Sequence, residues 1–372
     1  MRVFLSVSSR IGLLSFAMVA TAANLQSQEA GSPSRTDEYV FLDQVEETVG
    51  FDMFSSVTYS SALNLARSLD DIDRWNLDPQ AFVEHLLCAH QLSQRFYRDR
   101  PLKREEVEVY LEPYRIRNES TVQADWLSQL RRVTAPITKG AETADAAANS
   151  ILTWVAENIQ MKNPGVSYPL PRKGELAPLT VLKIKEGTEF DHVMLGIALL
   201  RSSGVAARFV WAPALRQEVG GKVWLEYKSE TKGWIPWIAS FPPKADHRKE
   251  AKELLGPKLT LVLTRPKSPL EITSQYTETM EVVVMVPSAD TVTSFLVKGA
   301  DSLLPIRGSG QFDKANEKRV QVGRGELVVA ASFGRDSFAL LAIEPAENTS
   351  RVTISAEGRG LVVVSEEALG KD

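Results

Sequence analysis

The sequence predicts an α+β fold with three parts: a helical N-terminal region, a mixed core of helices and strands, and a C-terminal all-β sandwich. Apolar residues recur three and four positions apart within 36–132, which indicates amphipathic helices. Between 133 and 256, a long apolar helix precedes three strand patterns. Short β-branched runs separated by Gly, Pro, Asp and Asn fill 258–372, and this spacing is typical of a sandwich.

The first 23 residues have the pattern of a secretory signal peptide. Arg2 and Arg10 precede an apolar run at 11–20, which ends in the small-residue sequence ATA. The run is shorter than the roughly 18 to 20 residues that a membrane-spanning helix needs, and no later segment reaches that length. We therefore expect removal of 1–23, export, and a secreted or periplasmic mature protein without a membrane span.

The composition argues against nucleic-acid binding and against a disulfide. The chain has 372 residues, and its hydrophobic share of 44% is enough for more than one core. Its formal net charge is −4, and Lys and Arg are scattered among Asp and Glu, so no basic surface for nucleic acid is expected. Cys88 is the only cysteine, so the chain cannot form an intramolecular disulfide.

Two helices and a strand are predicted within the region 36–132. The segments 60–75 and 79–100 carry apolar residues at helical spacing, and Asp78–Pro79 supplies an N-cap and a first-turn proline for the second. In the sequence EEVEVYLEPYRIRNES, apolar residues alternate with charged ones before a proline. This alternation predicts a strand that leaves the helical layer.

The region 133–256 is predicted to pack strands against a buried helix. An amphipathic helix is expected at 141–161, before a loop rich in Pro and Gly. The next helix has Thr188 as its N-cap, Asp191 as an acidic N3 residue and Gly204 as its C-terminal stop. Apolar side chains cover its whole circumference, so it should lie in the interior. The patterns VAARFVW, KVWLEYK and GWIPWIA then predict three strands.

Three motifs follow one another in this region: GTEFD and ALLRSSGVAAR within 187–208, KVWLE at 222–226, and WIPWI at 234–238. Their order resembles the transglutaminase-like superfamily, whose core has the papain-like arrangement of cysteine proteases. In that family a cysteine stands two residues after the glycine, a histidine opens an HxWxE strand, and an aspartate ends a WxPxD segment. The upstream YLEPYRIRNES also resembles a segment of a secreted bacterial branch of the family.

The resemblance implies a catalytic triad whose three members are all replaced. Glu189 occupies the cysteine position, Lys222 the histidine position and Ile238 the aspartate position. Thiolate attack, proton transfer by imidazole and orientation by a carboxylate are all needed for this chemistry, so we expect a degenerate, non-catalytic domain. Glu189 and Lys222 carry opposite charges, and two interpretations stay open: a structural ion pair, or two solvated side chains.

Six residues are candidates for lining a ligand groove: Glu189, Asp191, Lys222, Trp224, Tyr227 and Trp237. If exposed, the aromatic members would suit stacking on a sugar or clamping of a peptide, and core packing is the alternative. No metal site is predicted, because Glu189, Asp191 and His192 splay around a helix axis, and no cofactor motif is found. His247 is expected to be an exposed loop histidine.

The sequence thus favours an exported, non-catalytic protein that binds or scaffolds an extended peptide or a cell-wall or extracellular polysaccharide. The resemblance implies amide-bearing ligands, since the family's groove accommodates an extended chain. One alternative is a hydrolase or acyltransferase that uses Glu189 or Asp191 as a general base. The helix dipole favours charged carboxylates there, which argues against such a base. A second alternative places the function in the C-terminal sandwich, as a carbohydrate-binding or assembly module.

Overall fold

The computed structural model describes most of the chain from residue 79 onward. The described ranges are 79–111, 126–162, 176–213, 221–243, 245–264, 270–286, 291–298, 303–306, 312–314, 317–333, 338–346, 348–357 and 360–368, with the single residues 40, 43, 65, 116 and 215. The predicted signal peptide at 1–23 lies outside these ranges. So does the predicted helix at 60–75, apart from Leu65.

Seven α-helices are found in the described ranges. They are α1 (Pro79–Phe96), α2 (Arg104–Tyr110), α3 (Trp126–Ile137), α4 (Ala144–Asn158), α5 (Pro178–Ile184), α6 (Glu189–Ser203) and α7 (His247–Glu250). α1 begins at the proline expected for its first turn, and α7 continues into a π-helical turn at Ala251–Leu255. Among these described helices, none has the length and apolarity required to cross a membrane.

The segment around α2 corrects one prediction, because it is a helix where the sequence pattern predicted a strand. Val107, Tyr110 and Leu111 are three and four positions apart, so the alternating pattern also fits one face of a helix. Tyr110 and Leu111 are buried. Glu106 caps the helix by accepting a hydrogen bond from the backbone N–H of Lys103 at 3.0 Å. Local capping and burial of this helical face therefore outweigh the period-two pattern.

The central sheet has five strands in the order β5-β4-β3-β6-β7, and all of its neighbouring strands are antiparallel. The strands are β3 (Ala207–Ala212), β4 (Lys222–Ser229), β5 (Gly233–Trp237), β6 (Leu263–Thr264) and β7 (Leu270–Glu271). The first three are the strands predicted from VAARFVW, KVWLEYK and GWIPWIA. The segment KLTLVLT, predicted as a sandwich strand, instead contributes β6 to this sheet through its pairing with β3.

Helix α6 packs on one face of the central sheet and is buried along its whole length. A Cβ added at Gly196 would come within 2.7 Å of a methyl carbon of Leu225 in β4, so glycine permits a close approach of helix and sheet. The helix ends at Gly204, whose φ of 96° suits a left-handed C-cap. The apolar cluster around α6 extends from Phe82 in α1 to Trp237 in β5, so helices and sheet share one core.

The opposite face of the central sheet is covered by the chain that follows α7. Val210, Trp224 and Ile238 belong to a second apolar cluster, together with Leu255 and Tyr276. A short pair of parallel strands, β1 (Gln160–Met161) and β2 (Glu186–Gly187), lies before α6 and fixes the start of that helix. Strands β3 and β4 of the central sheet are therefore buried on both faces.

The C-terminal part is a sandwich of two sheets, as the sequence predicts. Its strands are β8 (Thr279–Met285), β9 (Thr291–Lys298), β10 (Leu303–Pro305), β11 (Phe312–Lys314), β12 (Glu317–Gly323), β13 (Leu327–Phe333), β14 (Phe338–Ile343), β15 (Thr349–Glu357) and β16 (Gly360–Ala368). The sheet orders are β10-β9-β13-β14 and β11-β12-β8-β15-β16. Phe295 and Val329 from the first sheet pack with Val282 and Ile354 from the second. The mixed α+β class is therefore confirmed.

Candidate functional site

The N-terminus of α6 is held by a reciprocal cap. The carboxylate of Asp191 accepts hydrogen bonds from the backbone N–H and the hydroxyl of Thr188, both at 2.8 Å, and Asp191 N–H donates to the Thr188 hydroxyl at 3.4 Å. This is the predicted N-cap with its acidic N3 residue. Asp191 is buried and engaged within the helix start, so it caps the helix and does not line a groove.

Glu189 and Lys222 form a buried ion pair at the same helix end. Lys222 Nζ lies 2.7 Å from Glu189 Oε1 and 2.8 Å from Oε2. The side chains are 0% exposed for Glu189 and 11% for Lys222. The ion-pair interpretation is therefore confirmed, and the alternative of two solvated side chains is wrong. Helix α6 supplies the anion and the first residue of β4 supplies the cation, so the pair ties helix to sheet.

Ser240 completes the surroundings of the ammonium group. Lys222 Nζ donates to Ser240 Oγ at 3.0 Å, so its three protons face two carboxylate oxygens and one hydroxyl oxygen. Ser240 is exposed, and it is the one solvent-facing member of this cluster. Ile238, at the aspartate position, is buried in the second apolar cluster, and its backbone N–H donates to His247 Nδ1 at 3.2 Å.

His247 corrects a prediction, because the structure buries it rather than leaving it in an exposed loop. Its ring stacks on Phe241, with centroids 6.0 Å apart and an interplanar angle of 21°. Burial lowers the pKa of His247, while a hydrogen bond with the backbone of Pro243 and the charge of Asp246 act in the opposite direction. Because Nδ1 accepts the Ile238 N–H, the neutral ring carries its proton on Nε2.

The aromatic groove candidates lie in the interior. Trp224 is 0% exposed, and Tyr227 and Trp237 are also buried. Trp224 Nε1 donates to the Tyr276 hydroxyl at 2.9 Å. The core-packing alternative is the one observed, and the exposure that stacking on a ligand would require is not met by these three rings. The physical reason is that strands covered on both faces send their aromatic side chains into one core or the other.

The side chains of Glu189, Asp191 and His192, at the start of α6, point to different partners. His192 Nδ1 lies 2.8 Å from the carbonyl oxygen of Thr188, and Nε2 lies 3.0 Å from that of Ile159. Glu189 faces Lys222, and the Asp191 carboxylate faces Thr188. These side chains therefore diverge, as expected for neighbours on a helix.

A second buried ion pair, which the sequence interpretation missed, joins strands β3 and β4 of the central sheet. Arg208 Nε donates to Glu226 Oε2 at 2.6 Å, from neighbouring strands in direct register. The hydroxyl of Tyr276 donates to Glu226 Oε1. Burial, reinforced by the charge of Glu226, raises the pKa of Tyr276 well above its ordinary value and keeps its proton on. The sequence signal for this pair is one charged residue at the end of each of two apolar runs: Arg208, which ends VAAR, and Glu226, which ends WLE.

Comparison with known proteins identifies the central part of the chain. Residues 131–237 match the family model of the transglutaminase-like superfamily. These residues have a transglutaminase-like fold. The matched segment contains both Glu189 and Lys222, and it ends one residue before Ile238. The ion pair therefore lies within the transglutaminase-like domain.

Two solved structures resemble parts of the chain. One is described as a "putative cysteine protease" from Cytophaga hutchinsonii, with 17% identity, a TM-score of 0.26, and coverage of 31% of this chain and 37% of the other. The second is described as a "putative protease" from Parabacteroides distasonis ATCC 8503, with 12% identity, a TM-score of 0.30, and coverage of 47% and 34%. The chain thus spans about a third of the length of each. Among curated proteins, none matches the sequence.

Proposed function

We propose that the protein is exported and non-catalytic, and that it uses its transglutaminase-like domain as a module that binds an extended peptide or polysaccharide. The observation that carries the non-catalytic part is the buried Glu189–Lys222 ion pair. It lies where the sequence motifs place the cysteine and histidine of the family. The N-terminal sequence of 1–23 supports export.

The chemistry of the ion pair argues against covalent catalysis. A nucleophile needs a free electron pair near the substrate, whereas both oxygens of Glu189 face the ammonium group and the side chain is inaccessible. Lys222 cannot take the role of the histidine, because an ammonium group that donates to a carboxylate has no lone pair with which to accept a proton. Ile238 has no polar group in its side chain to orient a base.

The enzymatic alternative requires a general base at Glu189 or Asp191. Asp191 is committed to two hydrogen bonds from Thr188, and Glu189 is committed to Lys222. A hydrolase that uses Ser240 would lack a base beside its hydroxyl, since the neighbouring Lys222 donates hydrogen bonds to Ser240 Oγ and to Glu189 and has no lone pair with which to take a proton. The geometry therefore favours the non-catalytic proposal over a hydrolase or acyltransferase.

The test is a turnover assay of the purified protein with fluorogenic peptide amides, aryl esters, and a glutamine-containing peptide paired with a labelled amine. We expect no product above the buffer rate from the wild-type chain. Glu189→Gln and Ser240→Ala serve as matched variants, since each removes one group that an alternative mechanism would use. Wild-type turnover that either variant abolishes would overturn the non-catalytic assignment.

A further inference from the structure

We propose that a cleft between the central sheet and the C-terminal sandwich binds an acidic peptide segment. The cleft consists of two adjoining cavities, of about 830 Å³ and about 330 Å³, which share Lys252, Gln275 and Tyr276 in their walls. We call it the Lys252 cleft. The volumes lie in the range of small-ligand pockets, roughly 300 to 1,000 Å³. This inference rests on the proposed function, because it assigns a binding site to the module that we propose binds a peptide or polysaccharide.

The Lys252 cleft is separate from the Glu189–Lys222 pair. Its smaller cavity is lined by Glu226, Trp234 and Pro236, on the face of the central sheet that points away from α6. Its larger cavity is bounded by the segment 274–279 and by Arg324, between β12 and β13 of the sandwich. The cleft therefore combines residues of the transglutaminase-like domain with residues of the sandwich.

The charges in the Lys252 cleft leave an excess of cations. Glu226 is neutralised by Arg208, and the other acidic lining residue, Glu278, pairs with Arg324 at 2.7 Å. Arg248 and Lys252 also line the cleft, and within the described ranges neither has a carboxylate partner. They are four residues apart on the helical segment after Asp246. Arg248 donates to the backbone oxygens of Lys232 and Trp234, which leaves its positive charge unneutralised, so the cleft presents the charges of Arg248 and Lys252 to an anionic ligand.

The rest of the lining favours a peptide over a sugar. Trp234 is already engaged by the guanidinium of Arg208, 4.1 Å from the ring centroid, and by Tyr110, with centroids 4.6 Å apart. Tyr276 packs edge-on against Trp224 and is buried. Neither ring therefore offers the stacking platform that sugar recognition uses. Gln275 and the hydroxyls of Ser274, Thr277 and Thr279 add hydrogen-bonding groups suited to a peptide backbone.

The proposal is tested by fluorescence anisotropy with the full chain at low salt. The probes are a labelled ten-residue peptide of alternating Gly and Glu, its Gly and Gln counterpart, and a labelled oligogalacturonate. We expect the Glu peptide to bind, the Gln peptide not to, and added salt to weaken the complex. Lys252→Gln should weaken binding about tenfold, the scale of one hydrogen bond to a charged group.

The control is Lys249→Gln, which removes the same charge from the same helical segment. Lys249 does not line the cleft, and it lies 3.8 Å from Glu253. Equal binding of the two peptides, equal effects of the two variants, or binding of the oligogalacturonate alone would each overturn the proposal. Tryptophan fluorescence confirms that each variant is folded. Absence of turnover together with absence of peptide binding would overturn the cleft assignment alone, whereas turnover would overturn the non-catalytic assignment.

Discussion

Two buried ion pairs each include a residue of strand β4, and they differ in what surrounds them. Arg208 and Glu226 sit opposite each other on β3 and β4, and the carboxylate also accepts a hydrogen bond from Tyr276. Glu189 and Lys222 instead join the start of α6 to the start of β4. The first pair is enclosed, with side chains 4% and 2% exposed, whereas the Lys222 side chain of the second is 11% exposed and contacts the exposed Ser240.

The difference shows two ways in which a folded chain can accommodate charge. The guanidinium of Arg208 is planar and stacks on an aromatic ring, so it combines an ion pair with apolar packing. Lys222 is a point charge, which satisfies two carboxylate oxygens and one hydroxyl. The lysine pair lies where the family motifs have a cysteine and a histidine, and it ties helix α6 to strand β4. Removing a cation should therefore cost more at the arginine pair.

The largest effect is expected for Arg208→Met, because it leaves the Glu226 carboxylate buried with only neutral donors. Loss of one partner of a buried ion pair typically costs about 3 to 5 kcal/mol of unfolding free energy. Denaturant titration followed by tryptophan fluorescence measures this, since Trp126, Trp224 and Trp237 are buried in the core and report on its unfolding. Arg104→Met, which breaks an exposed pair with Glu108, is the control and should cost less than about 1 kcal/mol. Similar losses in the two variants would contradict the expectation.

The lysine pair is tested by a double-mutant cycle. Lys222→Met should lower the unfolding free energy by about 2 to 4 kcal/mol, because Glu189 is left as a buried anion. Adding Glu189→Gln should recover much of this loss, since the residual carboxamide carries no charge. The coupling free energy should exceed about 1 kcal/mol, as for residues in direct contact. Additive effects would show that the two side chains act independently.

How far the sequence could predict this site depends on whether its members stand at positions of the family motifs. Glu189 and Lys222 stand at family motif positions and carry opposite charges, so their pairing was one of two open interpretations. Ser240 and His247 were missed because their roles depend on the turn after β5, where Phe241 N–H donates to Ile238 O at 3.0 Å. The turn brings His247 back to the end of β5, where its ring accepts the Ile238 N–H. From composition alone, the segment that carries His247 is expected to be exposed.

The secondary structure shows the same limit. Helix α6 was predicted well, since Thr188 and Gly204 mark its two ends by local capping that needs no tertiary contact. For α2 the apolar positions fit a period of two and a helical face alike, and the Glu106 cap together with the burial of Tyr110 and Leu111 favours the helix. The Lys252 cleft could not be predicted, because its walls come from segments up to about a hundred residues apart.

A smaller effect is expected from the helix cap beside the ion pair. Thr188→Ala removes the hydroxyl that pairs with Asp191, and loss of an N-cap typically costs about 1 kcal/mol of unfolding free energy. Thr143→Ala removes the comparable cap of α4, where the hydroxyl accepts from Ala146 N–H at 3.1 Å. The loss at Thr188 should be the greater, because Asp191 is buried and loses a donor. Equal losses from the same denaturant titration would show that the buried carboxylate is insensitive to its cap.

The smallest effect concerns the pH dependence of stability at His247, which supports the strand end next to the lysine pair. Because its folded pKa is lowered by burial, the unfolded chain takes up a proton more readily once the pH falls below about 6.5. Unfolding free energy should therefore decrease as the pH falls from about 6.5 towards the folded pKa, by at most about 1.4 kcal/mol per pH unit. In His247→Asn the side-chain oxygen can still accept the Ile238 N–H without titrating, so this part of the pH dependence should vanish. His90→Asn alters an exposed histidine and should keep the wild-type profile; if His247→Asn also keeps it, the buried ring does not titrate on unfolding.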